Sequence, residues 1–593
     1  MTFKISNLRF TFLFLVILSL LYSCKDDISQ DSSKEFLSFV IEARYNSHIL
    51  EKDVVGEIDN NTISLAFPDN IALDQITATF IIKGKEILIS GEKQISGFTS
   101  NNFNNPIIYT IIAEDLTEIS YQVIIERYDE GLTFTSFSFT KSINPLLKKD
   151  YTCTVTNEEI ESRIPSSSKS LIATFETKAE GILINGIPQI SGVTPNDFSK
   201  PITYTLISES GFKKTYSVNI TWASLIPQIT IVTENLAPVI SKDEYINATI
   251  TIESNDWGEN YSGTTRIRGR GNSTWSMPKK PYRLKLDENV PVLGLLTEKD
   301  WVLLANYIDP TLMLNAVAFK IGQLLDLQHT NNAIPIDLTI NNRYIGNYML
   351  TEQVEMSVSR VNIDKTEGVL LELDLNYDED YKFTSNHYKL PVMVKDPDIG
   401  SDSQFQKIIS DFQQLEDSVN SIYFPNNGYE KLIDIESLAK YFVVYNLTHN
   451  MEINHPKSTY LYKNKAGKYF MGPIWDFDWA FDFEGTSVHF GSSQKPLFKK
   501  LSSNSTGYSF FTRFLDDPKF IALYKQIWSD FHNEKMSILL NYIDDYAASI
   551  TESQKNDYEI WKNVTTNFKF KINTLKTWLE GRALYIEAEM NNL

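Results

Sequence analysis

The spacing of apolar and polar positions changes several times along this chain. From Phe10 to Leu21 (FTFLFLVILSLL) it is continuously apolar, with Lys4 and Arg9 ahead of the run. A stretch of that length is short for a bilayer span and reads as the h-region of an export signal. From about residue 35 the chain alternates in short runs, as at Ile107–Ala113 and Tyr121–Ile125, separated by Gly, Asn and Pro. Period two with β-branched residues and frequent turns predicts all-β sandwiches. From about Leu225 strand-like segments (Ile229–Thr233, Ala248–Ile252) lead to a 3.6-residue period over Pro310–Leu327, which predicts a helix with Pro in its first turn. Strands at Ile336–Ile340 and Gly346–Glu352 follow, then amphipathic helices around Phe405–Asn420 and Ile435–Asn450. The chain is helical from about Gly507.

The β-rich part is a duplication. Gln94, Gly97, Phe103, Pro106 and Tyr121 recur as Gln189, Gly192, Phe198, Pro201 and Tyr216, and Ala78-Thr-Phe80 recurs as Ala173-Thr-Phe175, all at an offset of 95. Tyr109 and Tyr204 fall on apolar faces and are expected in the two cores. Cys153, in a strand-like run, is expected as a buried single thiol. The expected boundaries are 1–24 for the signal, 25–34 for a polar tether, 35–128 and 129–224 for the sandwiches, and 225–593 for the remainder.

Composition narrows the chemistry. With 42% hydrophobic residues the chain is no disordered protein. Two cysteines exclude a disulfide framework and a cysteine zinc site, and seven histidines without a His-Glu-x-x-His pattern argue against a zinc hydrolase. A net charge of −20 argues against nucleic acid as a partner. The h-region stops at Leu21-Tyr-Ser-Cys24, which resembles the lipobox of bacterial lipoproteins, and Lys25-Asp-Asp27 resembles the surface-export signal of Bacteroidetes lipoproteins. Lipidation of Cys24 and anchoring to the outer membrane at the cell surface are therefore expected.

In this acidic chain seven basic residues crowd into Arg266–Lys285, around Gly269-Arg-Gly271. Glycines in such a turn let backbone N–H groups approach a phosphate, and a cation on the adjoining strand can pair with it. Arg283 and Lys285 share one strand face, with Lys280 behind them, as candidate phosphate contacts. Asp476 and Asp478 alternate in what reads as an extended run, so both carboxylates point one way and can hold one Mg2+ or Mn2+, with Trp475, Phe477 and Trp479 opposite.

Six blocks then carry a resemblance: Gly269-Arg-Gly-Asn-Ser-Thr-Trp275, Lys279-Lys-Pro-Tyr-Arg-Leu-Lys-Leu286, Lys299-Asp-Trp-Val-Leu-Leu-Ala-Asn-Tyr307, Leu350-Thr-Glu-Gln-Val354, Pro456-Lys-Ser-Thr-Tyr460 and Gly472-Pro-Ile-Trp-Asp-Phe-Asp478. Over roughly 226–593 the chain resembles the CotH family, the spore-coat-protein-H-like atypical kinases. The two β modules before it resemble the immunoglobulin-like repeats of Bacteroidetes surface proteins, so the expected fold is two tandem all-β immunoglobulin-like sandwiches followed by an α+β bilobal kinase-like domain. The CotH resemblance implies that this last domain uses ATP and a divalent metal to phosphorylate Ser or Thr of a protein acceptor that the sequence does not name. It places Asp476 and Asp478 at the metal site and Glu452 where the family carries its catalytic aspartate, within His449-Asn-Met-Glu-Ile-Asn454. Asn450 or Asn454 is a further candidate metal ligand. Glu352 closes a strand where a kinase passes its hinge, a candidate nucleotide contact. Two other readings stand beside it: an inactive surface scaffold or adhesin binding protein or glycan, and a glycoside hydrolase using Asp476 with Glu452.

Overall fold

The structure is a computed structural model that describes residues 31–593 apart from 70, 129–130, 157, 466, 485–487, 500–504 and 564–566. The expected export signal and the lipidation site Cys24 lie outside the described residues. The chain divides into two compact units, one ending at Ala223 and one beginning at Ser224.

The first unit is all β, and the 95-residue offset of the sequence reappears as an offset of strands. Thr62–Pro68 pairs parallel with Glu118–Tyr128, which pairs antiparallel with Ile107–Ile112. Glu159–Pro165 pairs parallel with Lys213–Ala223, which pairs antiparallel with Ile202–Ile207. Each copy has a six-stranded and a three-stranded sheet of matching order. Tyr109 and Tyr204 are fully buried, packed edge-on against Phe36, Phe39 and Phe80 or against Phe134, Phe137 and Phe175. An asparagine turn recurs too. Asn46 donates to the carbonyls of Glu42 and Thr77 and accepts from Thr77 N–H, as Asn144 does with Thr140 and Ile172. The Cys153 thiol is buried and free, and burial pushes it up to about 12, which leaves it an inert packing group.

The second unit is α+β. Strands β1 (Gln228–Thr233), β2 (Ile246–Glu253), β3 (Tyr261–Gly269), β4 (Tyr282–Val290), β5 (Glu298–Leu304), β6 (Ile334–Ile340) and β7 (Arg343–Glu352) close a barrel in the order β1-β2-β3-β4-β5-β7-β6, with β6 returning parallel to β1. Its interior holds Ile231, Ile250, Ile267, Leu284, Leu303 and Leu338. On β4 the residues alternate as the sequence predicts, Tyr282, Leu284 and Leu286 buried and Arg283 and Lys285 on the outer face. A second sheet comprises β8 (Val369–Leu373), β9 (Lys382–Thr384), β10 (Pro391–Asp396), β11 (Thr459–Lys463) and β12 (Tyr469–Met471), ordered β9-β10-β8-β11-β12.

Helix α1 (Leu314–Leu324) starts later than Pro310 because the Asp309 carboxylate caps it, accepting Thr311 N–H and Leu314 N–H at 2.7 Å each. Helices α2 (Asp402–Asn420), α3 (Ile435–Leu447), α4 (Thr506–Phe511), α5 (Pro518–Glu534), α6 (Met536–Ser549) and α8 (Phe568–Asn592) share one core with the second sheet, while α7 (Thr551–Trp561) lies on barrel strand β7, where Asp557 accepts Asn347 N–H and Trp561 donates to Ile345 O. Helix α3 ends three residues before the expected Asn450. Asn450 instead opens a single 3-10 turn by accepting Glu452 N–H at 3.0 Å. No helix among the described residues is long and apolar enough to cross a membrane.

Candidate functional site

The β3–β4 connection, the end of β8 and the segments after α3 and β12 enclose a cleft of about 450 Å3 in the second unit. Its walls include Arg270, Arg283, Asp374, Glu452, Asp476 and Asp478.

Local packing and backbone conformation fix the two glycines. A Cβ on Gly269 would lie 2.2 Å from the Trp275 ring, and Gly271 has a φ of +81°, so both positions require glycine. The turn's N–H groups are partly spent inside the protein, Gly269 N on Ser241 O and Arg270 N on Pro281 O. What this closeness delivers to the cleft is Arg270. Its guanidinium lies 5.3 Å from the Trp475 ring centre and beside Asp476. Burial lowers its pKa, and the Asp476 charge opposes that shift.

Arg283 also faces the cleft, with Nε and Nη2 donating to Asp300 Oδ1 at 3.1 and 2.8 Å, while Lys285 stands 3.6 Å from the other oxygen of Asp300. Lys280 turns away and donates to Trp275 O at 2.7 Å. Its neighbour Lys279 reaches the cleft wall, fully buried and paired with Asp557 of α7 at 2.6 Å. Lys280 and Lys285 are not among the lining residues. Neither is Glu352, whose carboxylate accepts Asn332 N–H and Nδ2–H at 2.7 and 2.6 Å.

Asp476 and Asp478 come together in the cleft, but not by strand alternation. Strand β12 ends at Met471, and Asp476 takes a left-handed φ of +62°, a conformation Asp tolerates because its short side chain bonds locally. Trp475 and Trp479 therefore line the same cleft as the aspartates, and only Phe477 packs away, against Tyr445. Asn315 at the start of α1 fixes the block. Its Nδ2 donates to Asp478 Oδ1 at 2.7 Å, and its Oδ1 accepts Phe477 N–H at 2.8 Å.

Glu452 is buried in the floor, on the turn that Asn450 opens, and Asn450 Nδ2 also donates to Asp476 O at 3.1 Å. Asn454 lies beyond the cleft, its amide bonded to the carbonyls of Met451 and Leu497 and to Lys499 N–H. Asp374 completes the acidic side, accepting Asn376 N–H at 2.6 Å and Ser458 N–H at 3.0 Å. Glu372 beside it pairs with Lys395 at 3.2 Å.

These carboxyls hold their protons tightly. Burial first, and then Asp476, pushes Asp478 up to about 7. Burial first and Asp476 second also raise Glu452 well above the usual range. Asp476 is raised by burial, with Arg270 pulling the other way. Like charges crowded at one spot are what a bound cation relieves. No cluster of three or more His, Cys, Asp or Glu arranged for a metal occurs among the described residues. Two hard carboxylate oxygens suffice for Mg2+, which keeps waters and takes substrate phosphates as its other ligands. The donor set fits that ion, and Asp476 and Asp478 are the residues that would hold it.

Arg270, Asn315, Glu372, Asp374 and Lys457 escaped the sequence reading. Asn315 and Asp374 meet their partners Asp478 and Ser458 across 163 and 84 residues, and only the Gly-Arg-Gly turn carried a local signal.

A family profile described as CotH kinase protein matches residues 267–586, and one described as SGBP, N-terminal, matches residues 45–125. Among curated proteins none matches. Two solved structures are similar in part. One is a candidate glycoside hydrolase from Bacteroides thetaiotaomicron, 13% identical, covering 43% of this chain and 82% of that one, at a TM-score of 0.11. The other is the Bacteroides ovatus SGBP-B in complex with a mixed-linkage heptasaccharide, 8% identical, covering 61% and 94%, also at 0.11. Scores that low bear on neither fold nor function.

Proposed function

Because the chain belongs to the CotH kinase protein family, we propose that its second unit transfers the γ-phosphate of ATP to Ser or Thr of a protein, with Mg2+ or Mn2+ held by Asp476 and Asp478. The observation that carries this reading is the meeting of those two carboxylates with Arg270 and Arg283 in one cleft. Phosphoryl transfer asks for that combination of cations for the phosphates and carboxylates for a metal. The ion, when bound, supplies positive charge to the polyphosphate. Arg270 and Arg283 face the same phosphates, and Lys280 and Lys285 add positive charge behind that wall. Glu452 takes the proton of the acceptor hydroxyl. Its raised proton affinity in the empty site is an obstacle that Lys457 and the incoming cation reduce, since both favour the carboxylate.

The first unit serves as a pair of immunoglobulin-like spacers between a lipidated Cys24 and the kinase-like unit at the cell surface. The match to the N-terminal SGBP profile supports a surface location. That match also favours a second reading, a surface scaffold that binds protein or glycan without chemistry.

Titrating the full chain with ATP, with and without Mg2+ or Mn2+, separates the two. Metal-dependent ATP binding and transfer to a protein substrate are expected, and their absence leaves the scaffold. A Cys24→Ala chain is expected in a soluble exported fraction, and its retention on membranes refutes the anchor.

A further inference from the structure

A second cleft, of about 530 Å3, opens in the same unit between the loop that precedes β6, the end of β7 and the loop after it. That is the size of a small-molecule site. The walls mix polar groups, among them Thr330 and Asn331, with the apolar Leu295, Val354, Val361 and Pro473. The rim carries Leu296 and Val358, 66% and 77% exposed, side chains that no neighbour in the unit covers.

One polar group of these walls is unusual. Arg360 is 8% exposed, and its guanidinium lies 4.5 Å from the Trp301 ring centre. Only Nη2 is bonded, to Asp300 O at 3.2 Å, while Nε and Nη1 have no partner. Buried donors are almost always paired, so two on one side chain mark a demand that the chain leaves unmet. That demand is not for charge. Arg360 and Glu352 are the two charged groups lining the cleft and cancel each other, and burial favours the neutral form of His329. The carboxylates of Glu298 and Glu355 act on Arg360 as well. An anion would enter a field already balanced or negative. A neutral oxygen would supply the missing acceptor without that penalty.

We propose that this cleft binds a small uncharged ligand with an apolar ring or chain and hydroxyl or carbonyl oxygens. The oxygens face Arg360, and the apolar part rests on Leu296 and Val358. Gln353 lines both clefts, so the ligand shares a wall residue with the phosphotransfer site. The inference does not depend on the kinase reading.

Phenyl β-glucoside tests it as a neutral probe, with phenyl phosphate as its anionic counterpart, titrated into the full chain by calorimetry. Saturable binding of the glucoside is expected, weakened at least tenfold by Arg360→Met, which keeps the stem and removes the donors. Val358→Asp, at an exposed position that folding does not need, is expected to weaken it similarly. Asp478→Asn in the first cleft is expected to leave it unchanged, so loss of ATP binding and loss of this site are told apart. The proposal is overturned if the glucoside does not bind, if its binding survives both Arg360→Met and Val358→Asp, or if phenyl phosphate binds more tightly through Arg360.

Discussion

Asn315 and Asp478 are joined by a 2.7 Å hydrogen bond across 163 residues of chain, and the same amide holds the peptide N–H just before that aspartate. One neutral side chain thus fixes the position of a carboxylate in the cleft and, because its N–H favours the charged form, opposes the burial and the Asp476 charge that raise its pKa. Asn315→Leu removes both bonds inside a well-packed region, and the predicted cost is about 2–3 kcal/mol in urea unfolding. Asp478 should then titrate higher still, and the Mg2+ requirement of ATP binding should rise in concentration.

Asp478 also predicts the pH dependence of the unliganded protein. Its folded-state pKa of about 7 lies above its unfolded value, so the folded chain binds the extra proton. Stability is therefore greatest below about pH 4 for this group and falls as pH rises to about 7, by at most about 4 kcal/mol. Asp478→Asn should flatten that fall. Mg2+ should restore stability at neutral pH, with proton release measurable by calorimetry in buffers of different ionisation enthalpy.

Glu452→Gln should leave ATP affinity within a factor of about two while lowering phosphoryl transfer by about 10²–10⁴-fold. The wild-type rate should climb with pH, since burial and Asp476 keep this carboxyl protonated and only its ionised form accepts a proton. A rate independent of pH between 6 and 9 would remove Glu452 from the proton path.

Lys279 and Asp557 are both fully buried and face each other at 2.6 Å, with Asp557 also accepting Asn347 N–H at 2.9 Å. Asp557→Ala leaves an ammonium unpaired in the interior, at a cost of about 3–5 kcal/mol. The double variant Lys279→Met with Asp557→Leu should be more stable than Asp557→Ala alone. A double-mutant cycle in urea checks this, and strict additivity would show that the pair is not coupled.

The duplication was legible because β pairing writes itself into sequence locally. Ile107–Ile112 and Ile202–Ile207 alternate in the same phase, and each follows a proline, Pro106 or Pro201. The two cleft aspartates were legible as a chemical type, yet the geometry inferred for them was wrong. Strand alternation does not survive a left-handed residue, and nothing local announces that Asp476 adopts one. Lys279 and Lys280 show the limit most clearly. Adjacent and identical in kind, they point to opposite environments, and what separates them is Asp557, 278 residues away. Arg360 is similar: its unmet donors are visible only once Trp301 and the surrounding carboxylates are in place.

The return of β6 alongside β1 also sets a clock. Gln228 pairs with Asp337, 109 positions further on, so β1 has no partner on that side until most of the barrel segment has left the ribosome or translocation pore. Loop closure over that distance is entropically slow, and the waiting strand edge, rich in isoleucine, is a template for pairing with other chains. Slowed closure, more than loss of native stability, should decide how much of this protein is recovered in soluble form when β6 or β7 is altered.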